Sequence, residues 1–269
     1  MNRDKEESFY NRSLERALQI LITFNNERLS LTLAQLSESL SLPRATVLRL
    51  CSTLVKYGFL KQDTESKRYS LGLKLFELGS VVFDSFSLRQ IASPYLGQLH
   101  VKLGKTIFLG ILDNDEVLYV DKREDPRNPI SFTSKIGTRR PPYWGMLGPV
   151  LMAYLPDIDT KKLLQKSPLT ATTKKSITNK EEFLKLLRRI REQGYVVDIE
   201  TALEGIGGAA APIRDFTGKV VASIGIAFIA SSVDSKDLKN IVKEVITTAS
   251  AVSREMGCIE ERRQPLQAK

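Results

Sequence analysis

The sequence predicts a winged helix-turn-helix domain, all α-helical apart from a β-wing, followed by an α+β domain on an antiparallel sheet. Three observations support this fold class. Two short helix patterns joined by a tight turn occupy residues 31–57, and a basic hairpin pattern follows at 59–71. From residue 106 onward, strand patterns alternate with amphipathic helices. We expect domains at 10–71 and 87–260, joined by a linker helix over 72–86.

Two start signals mark the first helix of the helix-turn-helix pair. Thr32 and Gln35 have the spacing of a capping box, and Leu31 and Leu36 have the spacing of a hydrophobic staple. An additional helix is expected upstream, with Ser13 as its N-cap. Its expected buried face consists of Leu14, Leu18, Leu21 and Ile22.

The second helix of the pair is expected to begin at Pro43 and to end before Gly58, which suits a left-handed C′ position. Its apolar residues recur at helical spacing, at Val47, Leu50, Cys51, Leu54 and Val55. The opposite face is predicted to enter a DNA groove, with Arg44, Thr46 and Arg49 at the bases and Ser52 at phosphate. The candidate contacts on this face are Arg44, Ala45, Thr46, Arg49 and Ser52.

The hairpin pattern at 59–71 predicts a wing, in which Lys67 and Arg68 are expected to contact the DNA backbone. The alternative is a generic small α/β module. The linker helix is apolar along much of its length, with Gly79 as a weak point, so it needs a partner to cover it. A second copy of the chain is expected there, although packing on its own domain is the other interpretation.

Composition limits the class of protein. The 269 residues include 42% hydrophobic residues and carry a net charge of +9, which indicates a polyanionic partner. Within 43–74, seven Lys and Arg residues face only Asp63 and Glu65, so a local basic patch matters more than the total charge. No signal peptide and no run of 18 apolar residues is present, and only two cysteines occur. A cytoplasmic protein without membrane contact is expected.

The second domain is predicted from a series of strand and helix patterns. A strand hairpin at 106–112 and 117–121 and another at 208–213 and 220–228 indicate an antiparallel sheet. The remaining predicted elements are a helix at 88–103 ended by Gly104, a strand at 130–133 and helices at 149–155, 181–193 and 236–256.

Candidate catalytic and metal-binding residues are scarce. His100 is the one histidine, and no cysteines and histidines have metal-ligand spacing. The glycines at 205, 207 and 208 precede a strand, whereas a dinucleotide fingerprint follows one. We therefore expect no catalytic residue, metal or cofactor. The alternative is an enzyme or metabolite-binding protein whose helix-turn-helix is only structural.

In this order, the modules resemble the IclR family of bacterial transcription regulators over nearly the whole chain. The N-terminal signature covers 42–50, 58–60 and 69–72, and the C-terminal signature covers 194–198, 204–206, 209–213 and 218–224. The resemblance implies double-stranded operator DNA as a partner, a dimerising linker helix and a GAF-like domain that binds a small organic acid effector. It also implies dimers or pairs of dimers, and action as repressor or activator, with RNA polymerase as a further partner. Neighbouring catabolic operons are the expected targets. A third possibility is a regulator whose second domain binds nothing.

The resemblance also implies an effector pocket, from which this chain departs. Tyr143 and Pro149 replace a histidine and a lysine of the family's ligand loop, where Met146 and Leu147 would offer backbone N–H groups. Gly208 stands where cysteine is common, and Gly225 and Ala227 stand where hydroxyl residues are common. Asp198 matches the pocket aspartate, and the expected walls are Phe132, Arg140, Trp144 and Ile206.

These losses remove polar contacts and open volume, which predicts a larger acid with an apolar or aromatic body. Arg140 is the expected carboxylate partner, with Trp144 lining the opened space. The alternative is that Arg140 points to solvent and that Trp144 only packs.

Overall fold

The structure is a computed structural model that describes residues 11–25, 28–85, 87–124 and 134–258, without the side chains of 82–85 and 87. The chain divides into two compact units, Met1–Phe86 and Ser87–Lys269. Each unit has its own hydrophobic core, so each is described separately.

The N-terminal unit is a three-helix domain with a two-stranded antiparallel wing and a further helix. Its core is formed by residues from all three first helices and from both strands, among them Ile20, Leu36, Cys51, Leu60 and Tyr69. The predicted winged helix-turn-helix is therefore confirmed. Its elements are α1 Arg12–Ile22, α2 Leu33–Leu40, α3 Arg44–Lys56, β1 Leu60–Gln62, β2 Tyr69–Leu71 and α4 Leu73–Ser85.

The prediction for α1 was wrong in its cap and in its buried face. Asn11 is the N-cap, because its side chain accepts from the backbone N–H groups of Ser13 and Leu14. Ile20 is fully buried, whereas Ile22 is 78% exposed. The buried face is rotated relative to the expected one, which leaves exposed the predicted core residues Leu14, Leu18 and Ile22.

Two of the helix signals of the helix-turn-helix pair are confirmed, and the predicted position of Pro43 was wrong by one residue. The capping box between Thr32 and Gln35 has both of its hydrogen bonds. Gly58 has φ +76° and ends α3, where the Phe59 N–H donates to Leu54 O at 2.9 Å, as in a Schellman motif. Pro43 is the N-cap rather than the first helical residue. Its ring still costs no hydrogen bond, since an N-cap N–H has no partner within the helix.

The C-terminal unit is built on a six-stranded antiparallel sheet with the order β5-β4-β3-β8-β7-β6. The chain enters through α5 Ser87–Leu103 and Gly104, whose φ is +59°. The strands are β3 Thr106–Asp113, β4 Glu116–Arg123, β5 Arg139–Arg140, β6 Val196–Ile199, β7 Ile206–Arg214 and β8 Val220–Ile229. The remaining helices are α6 Leu147–Ala153, α7 Asp157–Lys166, α8 Lys180–Gln193 and α9 Ser235–Glu255.

Both faces of the central strands are covered, because consecutive residues of β7 and β8 are buried. Along each strand, every second side chain points to the same face of the sheet. Phe108 of β3, Ala210 of β7 and Ala227 of β8 belong to the core that also contains buried residues of α6, α7 and α8. Helices α5 and α9 pack against each other and against the sheet. The predicted α+β domain on an antiparallel sheet is confirmed.

Several element predictions need correction or lie outside the described residues. The helix expected at 149–155 runs from Leu147 to Ala153, and the strand expected at 130–133 lies outside the described residues. Helix α7 and strand β6 were not predicted. Among the described residues, no helix combines the length and the apolar character needed to cross a membrane.

Candidate DNA interface and ligand pocket

The outer face of α3 is accessible in the N-terminal unit. Arg44, Ala45 and Arg49 are exposed, and Thr46 is half-buried. The inner face buries Val47, Cys51 and Leu54, which fixes the helix in the domain core. Burial also raises the pKa of the Cys51 thiol to about 11. A neutral thiol behaves as a small apolar core residue.

Ser52, the expected phosphate contact, is exposed, but its hydroxyl donates to Leu48 O at 2.8 Å. A phosphate oxygen can only accept, so this hydroxyl would have to turn away from Leu48 to contact DNA. The helix thus presents Arg44, Thr46 and Arg49 ready for contact, and Ser52 only after a rotation.

The two basic residues of the wing lie in different environments. Lys67 is exposed at the turn with φ +55°. Arg68 is half-buried, and its guanidinium donates to the Ser30 hydroxyl at 2.9 Å and to Ser30 O at 2.7 Å. A bidentate guanidinium of this kind attaches the wing to the segment before α2.

In the C-terminal unit, two neighbouring cavities share Trp144, Gly145 and Asp198. The inner cavity, of about 40 Å³, lies over the sheet and has a mainly apolar lining that includes Phe108, Tyr119, Met146, Ile206, Gly208 and Ala227. The outer cavity, of about 90 Å³, also has a mainly apolar lining, which includes Ile177, Phe183, Leu186 and Val196, together with Tyr143 and the hydroxyl residues Thr170, Thr172, Ser176 and Thr201. A volume of 40 Å³ holds only a few water molecules.

Asp198 lies between these cavities on β6. Burial raises the pKa of its carboxyl above the ordinary value, and hydrogen bonds from Thr201 oppose that shift. The Thr201 hydroxyl donates to Asp198 Oδ1 at 2.6 Å, and the Thr201 N–H donates to the same oxygen at 3.1 Å. Burial also raises the pKa of nearby Tyr119 to about 12, so this phenol stays neutral. Burial therefore disfavours the charged form of Asp198, and the two hydrogen bonds from Thr201 favour it.

Arg140 stacks on Trp144, with its guanidinium carbon 4.8 Å from the ring centroid. The residue is half-buried in the short strand β5, which pairs with β4. The side chain is therefore held against the pocket wall by a cation–π contact, rather than extended into solvent.

Gly110, Gly208 and Gly225 lie directly against the side chains of Met146 and Leu147 at the start of α6. A Cβ added at Gly208 would lie 2.1 Å from Met146 Sδ, and one added at Gly225 would lie 2.7 Å from Leu147 Cδ2. A Cβ at Gly110 would lie 3.0 Å from another atom of Leu147. The side chains of Met146 and Leu147 thus rest directly on the backbone of β3, β7 and β8.

Comparison with known proteins agrees with this two-unit architecture. The sequence profile of the IclR helix-turn-helix domain matches residues 13–64, and that of the bacterial transcriptional regulator IclR C-terminal domain matches residues 80–254. The chain belongs to the IclR family of bacterial transcriptional regulators. Its N-terminal unit is accordingly a DNA-binding domain.

Named relatives support the assignment to the IclR family over the full length of the chain. The HTH-type regulator XynR of Escherichia coli K12 is 34% identical over 91% of this chain and 97% of that protein. The E. coli K12 regulator KdgR is 33% identical over 91% and 92%. The IclR regulator of Alicyclobacillus acidocaldarius has a TM-score of 0.82 at 29% identity, covering 93% and 100%. The two relatives from E. coli are transcriptional regulators, not enzymes.

The IclR-family pocket predicted from the sequence is assembled in part. Trp144, Met146, Asp198, Ile206, Gly208 and Ala227 line the inner cavity, and Arg140 stacks on its wall. Leu147 and Gly225 are covered by each other rather than open to the cavity. Phe132 lies outside the described residues.

The expected gain of volume at the glycine positions was wrong. Met146 and Leu147 occupy the space that side chains at Gly208 and Gly225 would fill. The sequence could not show that the side chains of the 146–147 loop fill the space beside the glycines of the sheet.

Sequence reasoning also missed several pocket residues. Phe108 and Tyr119 lie on the predicted hairpin strands. Burial alternates along the strand of Tyr119, which was an available signal, whereas Phe108 lies in a continuously buried run that gave none. The hydroxyl residues of the 170–176 segment gave no periodic signal. Among the described residues, no group of three or more His, Cys, Asp or Glu side chains is placed to hold a metal ion.

Proposed function

We propose that this IclR-family regulator binds operator DNA as a homodimer in the cytoplasm, and that a small organic acid in the C-terminal unit controls binding. The observation that carries the DNA proposal is the accessible outer face of α3, which includes Arg44, Thr46 and Arg49, in a domain whose wing also exposes Lys67. Lys67 is assigned to phosphate, Arg68 to positioning of the wing, and Ala45 and Ser52 to the margin of the interface.

Gel-shift titration tests this assignment, after the operator has been selected from a duplex library with the wild-type protein. Arg49→Ala is expected to weaken operator binding by about 1–3 kcal/mol and to relax selectivity at one base pair. Lys67→Ala serves as the matched control. It is expected to weaken all sequences alike and to reduce the salt slope by about 1. Equal losses on operator and unrelated DNA for Arg49→Ala would contradict base reading.

The dimer proposal rests on apolar side chains that the N-terminal unit leaves exposed. On α4, Leu73 is 80% exposed and Phe76 is 74% exposed, and Val81 is also exposed. Such a face on a monomer favours coverage by a second copy, and two-fold symmetry suits paired half-sites. Sedimentation should detect a dimer that Phe76→Ser weakens. Pairing of two dimers, and contact with RNA polymerase, belong to the same proposal and are tested by sedimentation and by pull-down.

The effector proposal rests on the paired cavities around Asp198, which combine apolar walls with a few polar groups. Regulation of a neighbouring catabolic operon follows if the effector is a substrate of that operon. Calorimetry of the full-length protein with carboxylic acids tests this part. A complete lack of binding across a broad panel would favour a second unit that serves only for assembly.

A further inference from the structure

Met146 has an unusual setting at the N-terminal end of α6. Its sulfur lies where a side chain at position 208 would begin, and its terminal carbon lies 3.0 Å from a Cβ built at Gly225. Two strands of the sheet therefore lack side chains at the positions that Met146 covers. The thioether packs on bare backbone, which no residue larger than glycine would allow.

The same side chain is part of the inner cavity wall. Met146, Gly208 and Ala227 all line that cavity, and Trp144 lines its other side. Because Met146 covers Gly208 and Gly225, the missing side chains of these glycines add no open volume to the cavity. The remaining inner volume of about 40 Å³ holds only a few water molecules, and Met146 is one of the side chains that limit it.

The chemistry at this inner end is apolar. Thioether and methyl groups offer no strong hydrogen bond. Asp198 lies between the two cavities, and the hydroxyls of Thr172, Ser176 and Thr201 belong to the outer one. A chain-like acid can extend from one cavity into the other past Trp144, with its narrow end against Met146. A planar ring needs width at the place that Met146 fills.

We propose that Met146 is the specificity-determining residue of this pocket, selecting aliphatic carboxylic acids and excluding aromatic ones by covering Gly208 and Gly225. This inference rests on the proposed function, in which the pocket binds an organic acid. Methionine suits the role because its unbranched side chain fills an irregular space without a fixed shape.

Calorimetry of the full-length protein tests the proposal with pyruvate and gluconate as aliphatic probes and benzoate and 4-hydroxybenzoate as aromatic probes. Wild-type protein is expected to prefer an aliphatic probe. Met146→Ala is expected to raise affinity for the aromatic probes at least tenfold relative to the aliphatic ones. Met152→Ala is the matched control, since Met152 is a fully buried methionine of the same helix outside both cavity linings. The Met152→Ala variant should have the same selectivity between aliphatic and aromatic probes as the wild type.

A second variant distinguishes a local effect on ligand binding from unfolding of the protein. Gly208→Ala should push the thioether into the cavity and weaken the aliphatic probe about tenfold. Adding Met146→Ala to Gly208→Ala should restore that binding, because the clashing sulfur is gone.

The possible outcomes distinguish a failure of the role assigned to Met146 from a failure of acid binding itself. Unchanged selectivity in Met146→Ala, or a wild-type preference for benzoate, overturns the role of Met146 while leaving acid binding intact. If none of the four acids binds either protein, the acid effector itself fails, and the role of Met146 fails with it.

Discussion

Each unit contains a glycine whose missing side chain lets another part of the chain approach closely, but the neighbours differ. A Cβ at Gly72 would lie 2.0 Å from the Gly58 carbonyl oxygen, and a Cβ at Gly208 would lie 2.1 Å from the Met146 sulfur. The first neighbour is backbone, held by hydrogen bonds from Gly72 N to Phe59 O and from Lys74 N to Gly58 O. The second is part of a flexible side chain, and the Ile226 carbonyl oxygen lies 3.0 Å from the same Cβ position. The contact at Gly72 is therefore rigid, and the contact of Gly208 with Met146 is the more adjustable of the two. The C-terminal unit also has a rigid contact of its own, since a Cβ at Gly148 would lie 2.0 Å from the Pro142 carbonyl oxygen.

The largest expected effect tests the fixed contact. Gly72→Ala places a methyl carbon within 2.0 Å of the Gly58 carbonyl oxygen. That carbonyl cannot move without breaking the hydrogen bonds that join Gly58 and Phe59 to Gly72 and Lys74. We expect the N-terminal unit to lose about 3 kcal/mol of unfolding free energy. Hydrogen exchange of α3 amides measures this loss separately from the C-terminal unit.

Gly79→Ala is the control for this substitution. Gly79 lies inside α4, and nothing lies within 4 Å of an added Cβ. Alanine there should stabilise the helix by about 1 kcal/mol. If Gly72→Ala were as harmless as Gly79→Ala, the contrast between a rigid and an adjustable glycine contact would not hold.

A smaller effect is expected for Arg68, which holds the wing by side-chain hydrogen bonds. Arg68→Ala removes both bonds to Ser30 and should destabilise the N-terminal unit by about 2 kcal/mol. Because the guanidinium acts within the protein, the salt slope of DNA binding should stay unchanged, unlike that of Lys67→Ala. Arg68→Lys should not rescue stability, since an ammonium cannot reproduce the paired geometry. A reduced salt slope with unchanged stability would make Arg68 a phosphate contact instead.

The two units also differ in how far the sequence predicts them. Thr32 with Gln35 and Gly58 with Phe59 act within one helical turn, so spacing alone identifies the cap and the Schellman motif. The buried face of α1 was harder to predict, because Leu18 and Ile20 are both apolar and only the packed domain decides which is buried. Helix α7 had local signals that went unused, namely Pro156 as N-cap and acidic residues in its first turn.

The pocket depends on contacts between distant parts of the chain. Met146 covers Gly208 and Gly225, and no local pattern links a loop methionine to glycines on two later strands. Residues matched to the family pattern include Met146, Asp198, Ile206 and Gly208, which line a cavity, but also Leu147 and Gly225, which do not. They do not predict the free volume, which depends on the path of the Met146 side chain. The free volume of the pocket therefore cannot be predicted from the sequence and has to be read from a structure.

The smallest effect concerns Asp198, and it tests whether the adjustable pocket responds to charge. Burial already raises the pKa of this carboxyl, and a bound carboxylate beside it should raise that pKa further, because two like charges repel. Protonated Asp198 is then favoured in the complex, so binding an acid takes up a proton. Affinity should increase as pH falls through the window between the free and bound pKa values, by about 1.4 kcal/mol per unit of pKa difference.

Calorimetry with pyruvate at several pH values checks this dependence, in buffers with different ionisation enthalpies that reveal the proton uptake. Asp198→Asn should bind with a pH-independent affinity close to the low-pH affinity of the wild type. Thr201→Val should shift the window to higher pH, because the hydroxyl bond at 2.6 Å that stabilises the charged carboxylate is lost. Burial raises the pKa of Tyr119 to about 12, so this phenol stays neutral and does not supply the proton. Affinity that rises with pH would instead mean that the ligand binds Asp198 as a hydrogen-bond donor or cation.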